Sequence, residues 1–334
     1  MDRERAQPED LPPLELRELR DLELEEASAP GRPAHVAAGS GVVRRGDYAY
    51  VIGDDELFIA VYCLSDPAPG RLERVLGGEL PADDDERKSK KADLEALTAL
   101  PPFEDHPFGA LFGIGSGSGP GRDRGFVWAL AADGTLRGEV HEVDLAPLYD
   151  RLRDEIGALN VEGCSVMGDT VWLLHRGNDG ETGNVVAELS LEDVMGSLRA
   201  DLRIDAHELA RICSYELGEL SGVPLTFSDA TPLTSDLLVF TASAEGEDGA
   251  IHGSVIGTLG TDGRVQRLRA IDRRWKVEGV HASVDTGVLD LLFVCDQDDP
   301  ETPSPLLGAT MPLEAAFEPR DQSSITALGS AAPA

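Results

Sequence analysis

Acidic side chains recur in this 334-residue chain in a repeating setting. Asp93-Leu94-Glu95-Ala96, Asn160-Val161-Glu162-Gly163, Phe227-Ser228-Asp229-Ala230 and Lys276-Val277-Glu278-Gly279 each set a carboxylate before a small residue and open an apolar stretch. The carboxylates Glu95, Glu162, Asp229 and Glu278 are separated by 67, 67 and 49 residues. Gly39-Ser40-Gly41 reads as a fifth copy, with Ser40 in the acidic slot 55 residues before Glu95. Slots that encircle one axis carry an electrostatic problem. Two carboxylates about 5 Å apart repel by roughly 3 kcal/mol at an effective dielectric of about 20. Such groups take up protons, pair with Lys or Arg, or hold a cation. An oxygen-only ligand set suits Ca²⁺ or Mg²⁺. The alternative is that each carboxylate accepts backbone N–H bonds from a neighbouring repeat.

The cations fall in the same neighbourhood. All four lysines lie just upstream of a slot: Lys88, Lys90 and Lys91 before Glu95, and Lys276 before Glu278. Lys88, Lys91 and Lys276 are candidates either to neutralise the ring or to hold an anionic ligand beside a metal. A solvated charge run is the plainer reading of residues 87–91. The stretch Gly115-Ser116-Gly117-Ser118-Gly119 could form an anion nest that includes Ser116 and Ser118, or a simple hairpin loop. It is not a GxGxxG pattern and no helix follows, which excludes a dinucleotide site. In His175-Arg176-Gly177-Asn178, His175 is a candidate general base, Arg176 an anion clamp and Asn178 a ligand contact; a lone histidine is also a common structural residue. Asp54, Asp55, Asp296 and Asp298 occupy corresponding exits and read as turn residues or further oxygen ligands.

The elements that must position these groups are short strands. From about residue 38 the chain divides into five units of short apolar runs, punctuated by turn signals such as Asp54-Asp55, Ala132-Asp133-Gly134 and Asp262-Gly263. The first four units have four strand candidates each. The last has three: 279–283, 288–295 and 306–311. The N-terminal segment 14–25, in which Leu22-Glu23-Leu24-Glu25 alternates, supplies the missing strand. Helical insertions are expected over 148–156 and 191–203. Four-stranded repeats of this length, closed by a strand from the other terminus, predict an all-β fold: a five-bladed β-propeller with short helical insertions. One domain is expected over residues 14–315, with flexible termini at 1–13 and 316–334. A β-sandwich or a two-domain α+β protein is the competing architecture.

Bulk properties narrow the function. A net charge of −33 repels phosphate backbones and anionic lipid, so nucleic acid and membrane are excluded as general partners. A small anionic molecule or a protein is the expected partner. Aromatic residues at 5% are few for a β-rich chain. Cys63, Cys164, Cys213 and Cys295 lack metal-binding spacing and read as free thiols of a reducing compartment. With no apolar leader and no run of 18 apolar residues, a cytoplasmic location is expected. HExxH, P-loop, CxxC-pair and GxSxG patterns are absent from the sequence, which removes the common zinc-protease, NTPase and α/β-hydrolase readings.

Ser40-Gly41-Val42 leading to Tyr50-Val51-Ile52-Gly53-Asp54-Asp55, then the motifs at Glu95 and Glu162, resembles an uncharacterised bacterial propeller family similar to the phytase-like and esterase-like propellers. The resemblance spans about residues 14 to 315. It implies calcium held by carboxylates at one mouth of the ring, and phosphoester hydrolysis. Five units rather than six, and no secretion signal, depart from the phytase-like pattern. The functional expectation is a metal-dependent hydrolase of phosphoesters or lactones, with Glu95, Glu162, Asp229 and Glu278 on the cation. In that scheme Lys91 and Arg176 hold the anion. The alternative is a non-catalytic propeller that binds a small ligand or a protein.

Overall fold

Five inner strands, each interrupted by one extra residue, surround a common axis in the computed structural model. It describes residues 2–177, 183–246, 249–297 and 299–313. The inner strands are Gly39–Arg45, Leu94–Leu100, Val161–Met167, Thr226–Pro232 and Val277–Asp285, opening blades one to five. Each begins an antiparallel sheet whose strands follow in sequence order. Neighbouring inner strands touch around the full ring. The chain is a five-bladed β-propeller, as its repeats predict.

Each core lies between two blades. Val43, Tyr50, Ile52 and Ile59 of blade one pack on Leu97, Leu111 and Phe126 of blade two. Four similar clusters fill the remaining junctions. Alternation explains the strands: in Leu94–Leu100 the buried residues face a neighbouring sheet while Glu95 and Ala99 are less covered. Helix α1 (Asp84–Lys90) carries most of the charge run at residues 87–91; Asp83 caps it by accepting the Glu86 N–H at 3.0 Å. Helices α2 (Ala146–Ile156) and α3 (Leu191–Ala200) are the expected insertions. Leu148, Tyr149, Leu152 and Ile156 of α2 cap the core between blades two and three.

The N-terminal segment straps the outside of the ring. Arg17–Asp21 pairs antiparallel with Pro305–Pro312 as the outer strand of blade five. Leu22 and Leu24 then enter the junction between blades five and one. The expected closing strand is present, and the Leu22–Leu24 alternation marks the buried residues that follow it. The flexible segment expected over 1–13 is corrected: Asp2–Arg5 pairs parallel with Leu209–Glu216 as a fifth strand of blade three. The Glu9 N–H also bonds the Leu268 carbonyl of blade four at 2.7 Å. An outer strand offers unpaired backbone groups, and this segment satisfies them. The 316–334 expectation lies outside the described residues.

Closure depends on Leu22, which is fully buried. Leu22→Ala is expected to cost about 2–5 kcal/mol, whereas Leu19→Ala on the exposed strap should cost well under about 1 kcal/mol. Urea unfolding midpoints of the two variants measure the difference.

Candidate functional site

The extra residue on each inner strand decides which side chains meet. The pairing register shifts at Ser40, Glu95, Glu162, Ser228 and Glu278, between residues 39/41, 94/96, 161/163, 227/229 and 277/279. Such a bulge re-aims a side chain. Here Ser40, Glu95, Glu162 and Glu278 line a cavity of about 130 Å³ at one mouth of the channel, with Arg176, Lys276, Asp54 and Asp296. The residue after each bulge packs tightly on the next blade. A Cβ on Gly163 would lie 3.0 Å from the Ala230 nitrogen, and one on Gly279 would lie 2.9 Å from the Gly41 Cα.

Asp229 therefore does not belong to the ring. Ser228 occupies the equivalent position in blade four, and Asp229 takes the place of Gly163 and Gly279. Its carboxylate is buried and accepts the Val280 N–H of blade five at 2.8 Å. Burial pushes its pKa well above the usual range, against those backbone hydrogen bonds. Alignment on the apolar residue before each slot would have shown this, because Phe227 matches Leu94, Val161 and Val277. Blade four instead supplies serines. Ser228 donates to Ser243 at 3.2 Å, and Ser243 donates to the Val277 carbonyl at 3.2 Å.

Cations fill much of the mouth. The Arg176 guanidinium lies 2.6 Å from Glu245, 3.7 Å from Glu162 and 3.9 Å from Glu278. It binds together the protein's own carboxylates of three blades, so it is not a free anion clamp. Lys276 pairs with Asp296 at 2.9 Å and with Glu278 at 3.5 Å. Lys91 pairs with Asp54 and, at 2.6 Å, with Asp93. Its ammonium stands among carboxylates as a built-in cation. Asn160 donates to Glu162 at 2.5 Å. Ser40 donates to the Leu94 carbonyl at 2.6 Å, joining blades one and two.

The Ser116–Ser118 loop is not an anion nest. Ser116 donates to Asp93, Ser118 does so at 3.0 Å, and Arg122 bonds the same carboxylate at 2.9 Å. Asp93 is the hub, although sequence reasoning gave it no role. His175 is corrected too. Its Nδ1 accepts the Asn160 N–H at 3.0 Å, the ring is buried, and it does not line the mouth. Burial lowers its pKa to about 4, which makes it a neutral structural residue. Asn178 and Asp298 lie outside the described residues. Lys88 is exposed and lines an adjoining cleft of about 450 Å³ that shares Ala38, Asp54 and Asp296 with the mouth.

Glu95 differs from its neighbours. Among the described residues its carboxylate has no hydrogen-bond or ion-pair partner, and it is half-buried in the mouth. One oxygen each from Glu95, Asp54 and Asp93 lie within 4.8 Å of one another. Burial pushes the Glu95 carboxyl well above the usual range; Glu162, Asp54 and Asp93 add to this and Lys91 opposes it. Burial raises Glu162 to about 7 against the pull of Arg176. It raises Asp54 to about 6 against Lys91. Glu278 is raised by burial in the same way, despite Arg176 and Lys276. Asp93 is held below the usual range, because Lys91, Ser116 and Arg122 together outweigh its burial.

The fold and this mouth define a propeller with a carboxylate-rich cavity at one end of its channel. The chain belongs to a family of unknown function (DUF6929), whose model matches residues 35–311. No curated protein matches it. Among solved structures it is similar to the catalytic domain of a GH62 α-L-arabinofuranosidase from Coprinopsis cinerea, at 9% identity and TM-score 0.48, covering 89% of this chain and 96% of that one. A luciferin-regenerating enzyme aligns at 12% identity and TM-score 0.42, over 84% and 92% of the two chains. The β-propeller domain of Cps50 (Swd1) from Myceliophteria thermophila aligns at 12% identity and TM-score 0.35, over 81% and 70%. These similarities concern the fold alone.

Raised carboxyl pKa values make stability fall with pH. A carboxyl that keeps its proton more readily when folded contributes stability below its unfolded pKa, and loses it as pH rises through the folded value. For Glu162 that window runs from 4.5 to about 7, and for Asp54 from 3.8 to about 6. The carboxyls therefore favour a higher melting temperature near about pH 5 than near about pH 8, while His175, its pKa lowered by burial, acts in the opposite sense as pH falls. Glu162→Gln should flatten part of that slope in a differential scanning series.

Proposed function

We propose that the carboxylate mouth binds a small polar molecule and hydrolyses it, with Glu95 and Glu162 as the acid–base pair. The observation that supports this is the unpartnered Glu95 carboxylate, aimed into a cavity whose other charges are already matched. An unpaired acid held above its usual pKa beside a second near neutrality suits proton transfer at working pH. Lys88, at the rim of the adjoining cleft, offers an ammonium to an anionic substrate such as a phosphoester. The phytase-like resemblance favours the phosphoester.

A second reading places Ca²⁺ or Mg²⁺ on Asp54, Asp93 and Glu95. It is favoured by the close approach of their oxygens. Lys91 competes for two of these carboxylates, so a metal in this cage has to displace or adjoin its ammonium. Glu162 and Glu278 share Arg176 and are poorer ligands. The non-catalytic alternative uses the same mouth for binding only.

Turnover of an aryl phosphate and of a simple lactone, with added Ca²⁺ or with chelator, tests these readings. Glu95→Gln is expected to lower kcat by about 10²–10⁴-fold without lowering the melting temperature, because it removes an unpaired charge. A chelator-sensitive rate favours the metal. Absence of turnover, with ligand-induced thermal protection that Glu95→Gln abolishes, leaves binding alone.

A further inference from the structure

The inner strands end in a second cavity at the opposite mouth, and its chemistry is different. Its volume is about 260 Å³, and Arg44, Arg45, Thr98, Thr231, His281 and Ser283 supply its polar lining. These residues lie at or near the far ends of the inner strands of blades one, two, four and five. No aspartate or glutamate lines it.

Arg45 is the informative group. It is half-buried, and among the described residues its guanidinium has neither a hydrogen-bond nor an ion-pair partner. The adjacent Arg44 is neutralised by Asp290 at 2.9 Å. Burial alone lowers the Arg45 pKa, with no carboxylate acting against it. An unpaired cation is unusual in a chain with net charge −33, where carboxylates outnumber cations about two to one. His281 also has no hydrogen-bond partner among the described residues. Burial first, and then Arg45 and Arg44, push its pKa down to about 3. A neutral imidazole retains one N–H to donate.

Thr98 is a second, independent observation. It is 1% exposed, lines this cavity, and its hydroxyl has no hydrogen-bond partner. A buried hydroxyl left unpaired costs free energy that a ligand can recover. The guanidinium, the hydroxyl and the imidazole N–H form a set of donors with no carboxylate among them.

We propose that this second mouth binds a small oxyanion, a phosphate group, with the charge held by Arg45 and hydrogen bonds supplied by Thr98 and His281. Arginine is suited to this because its planar fork matches two oxygens of such a group. The site is independent of the carboxylate mouth, so either can fail without the other.

Isothermal titration at low salt with inorganic phosphate, and separately with glycerol phosphate, tests the assignment. Wild-type protein should bind at least one of them at millimolar concentration or below. Tighter binding of glycerol phosphate identifies an organic phosphate as the ligand class, and equal or weaker binding identifies the free ion. Arg45→Met should weaken binding about tenfold or more, with Arg45→Lys intermediate. Thr98→Val should weaken it while leaving the melting temperature close to wild type. Glu95→Gln, at the opposite mouth, should leave this affinity unchanged. No binding of either probe by wild-type protein, or undiminished binding by folded Arg45→Met, would overturn the proposal.

Discussion

One extra residue in each inner strand is the constraint on which the rest depends. It allows neighbouring inner strands to approach until the Gly163 and Gly279 positions touch the next blade's backbone. It also turns the preceding side chain toward the axis. Glu95, Glu162 and Glu278 meet for this reason, although the chain separates them by tens of residues. The same register sends Asp229 away from the mouth, to clamp blade five through the Val280 N–H.

Convergence of carboxylates in a partly buried place requires compensation, since an isolated buried charge is expensive. Three devices supply it. Arg176 bridges glutamates from three blades. Lys276 and Lys91 pair with carboxylates close in space. Elevated pKa values let Glu95 and Glu162 carry protons nearer neutrality. The network is therefore a tie between blades. Among the described residues, Glu95 alone of the ring glutamates is left outside the pairing.

The two mouths are electrostatically opposed. One is lined by carboxylates matched by internal cations, and the other presents Arg45 with no internal anion. The strap of N-terminal residues lies on the outer strands, and neither mouth cavity has a lining residue from it. Closure and site formation are thus separate tasks, carried by opposite edges of the same sheets.

The sequence by itself determined the five repeats, the all-β architecture and the closing N-terminal segment. These follow from local alternation, turn residues and the count of strands, all of which are written in short windows. It also marked Ser40, Glu95, Glu162 and Glu278, because each stands before a small residue at the opening of an apolar stretch. The tertiary structure alone decided the partners. Arg176 bonds Glu245, which no repeat identifies; the serine loop spends its hydroxyls on Asp93; and Arg45, at the far mouth, has no ion-pair partner among the described residues. In blade four acid identity points to Asp229, whereas the register places Ser228 in the slot. Pairing such as Arg176 with Glu245 depends on distances across blades, and no short sequence window contains both of those partners.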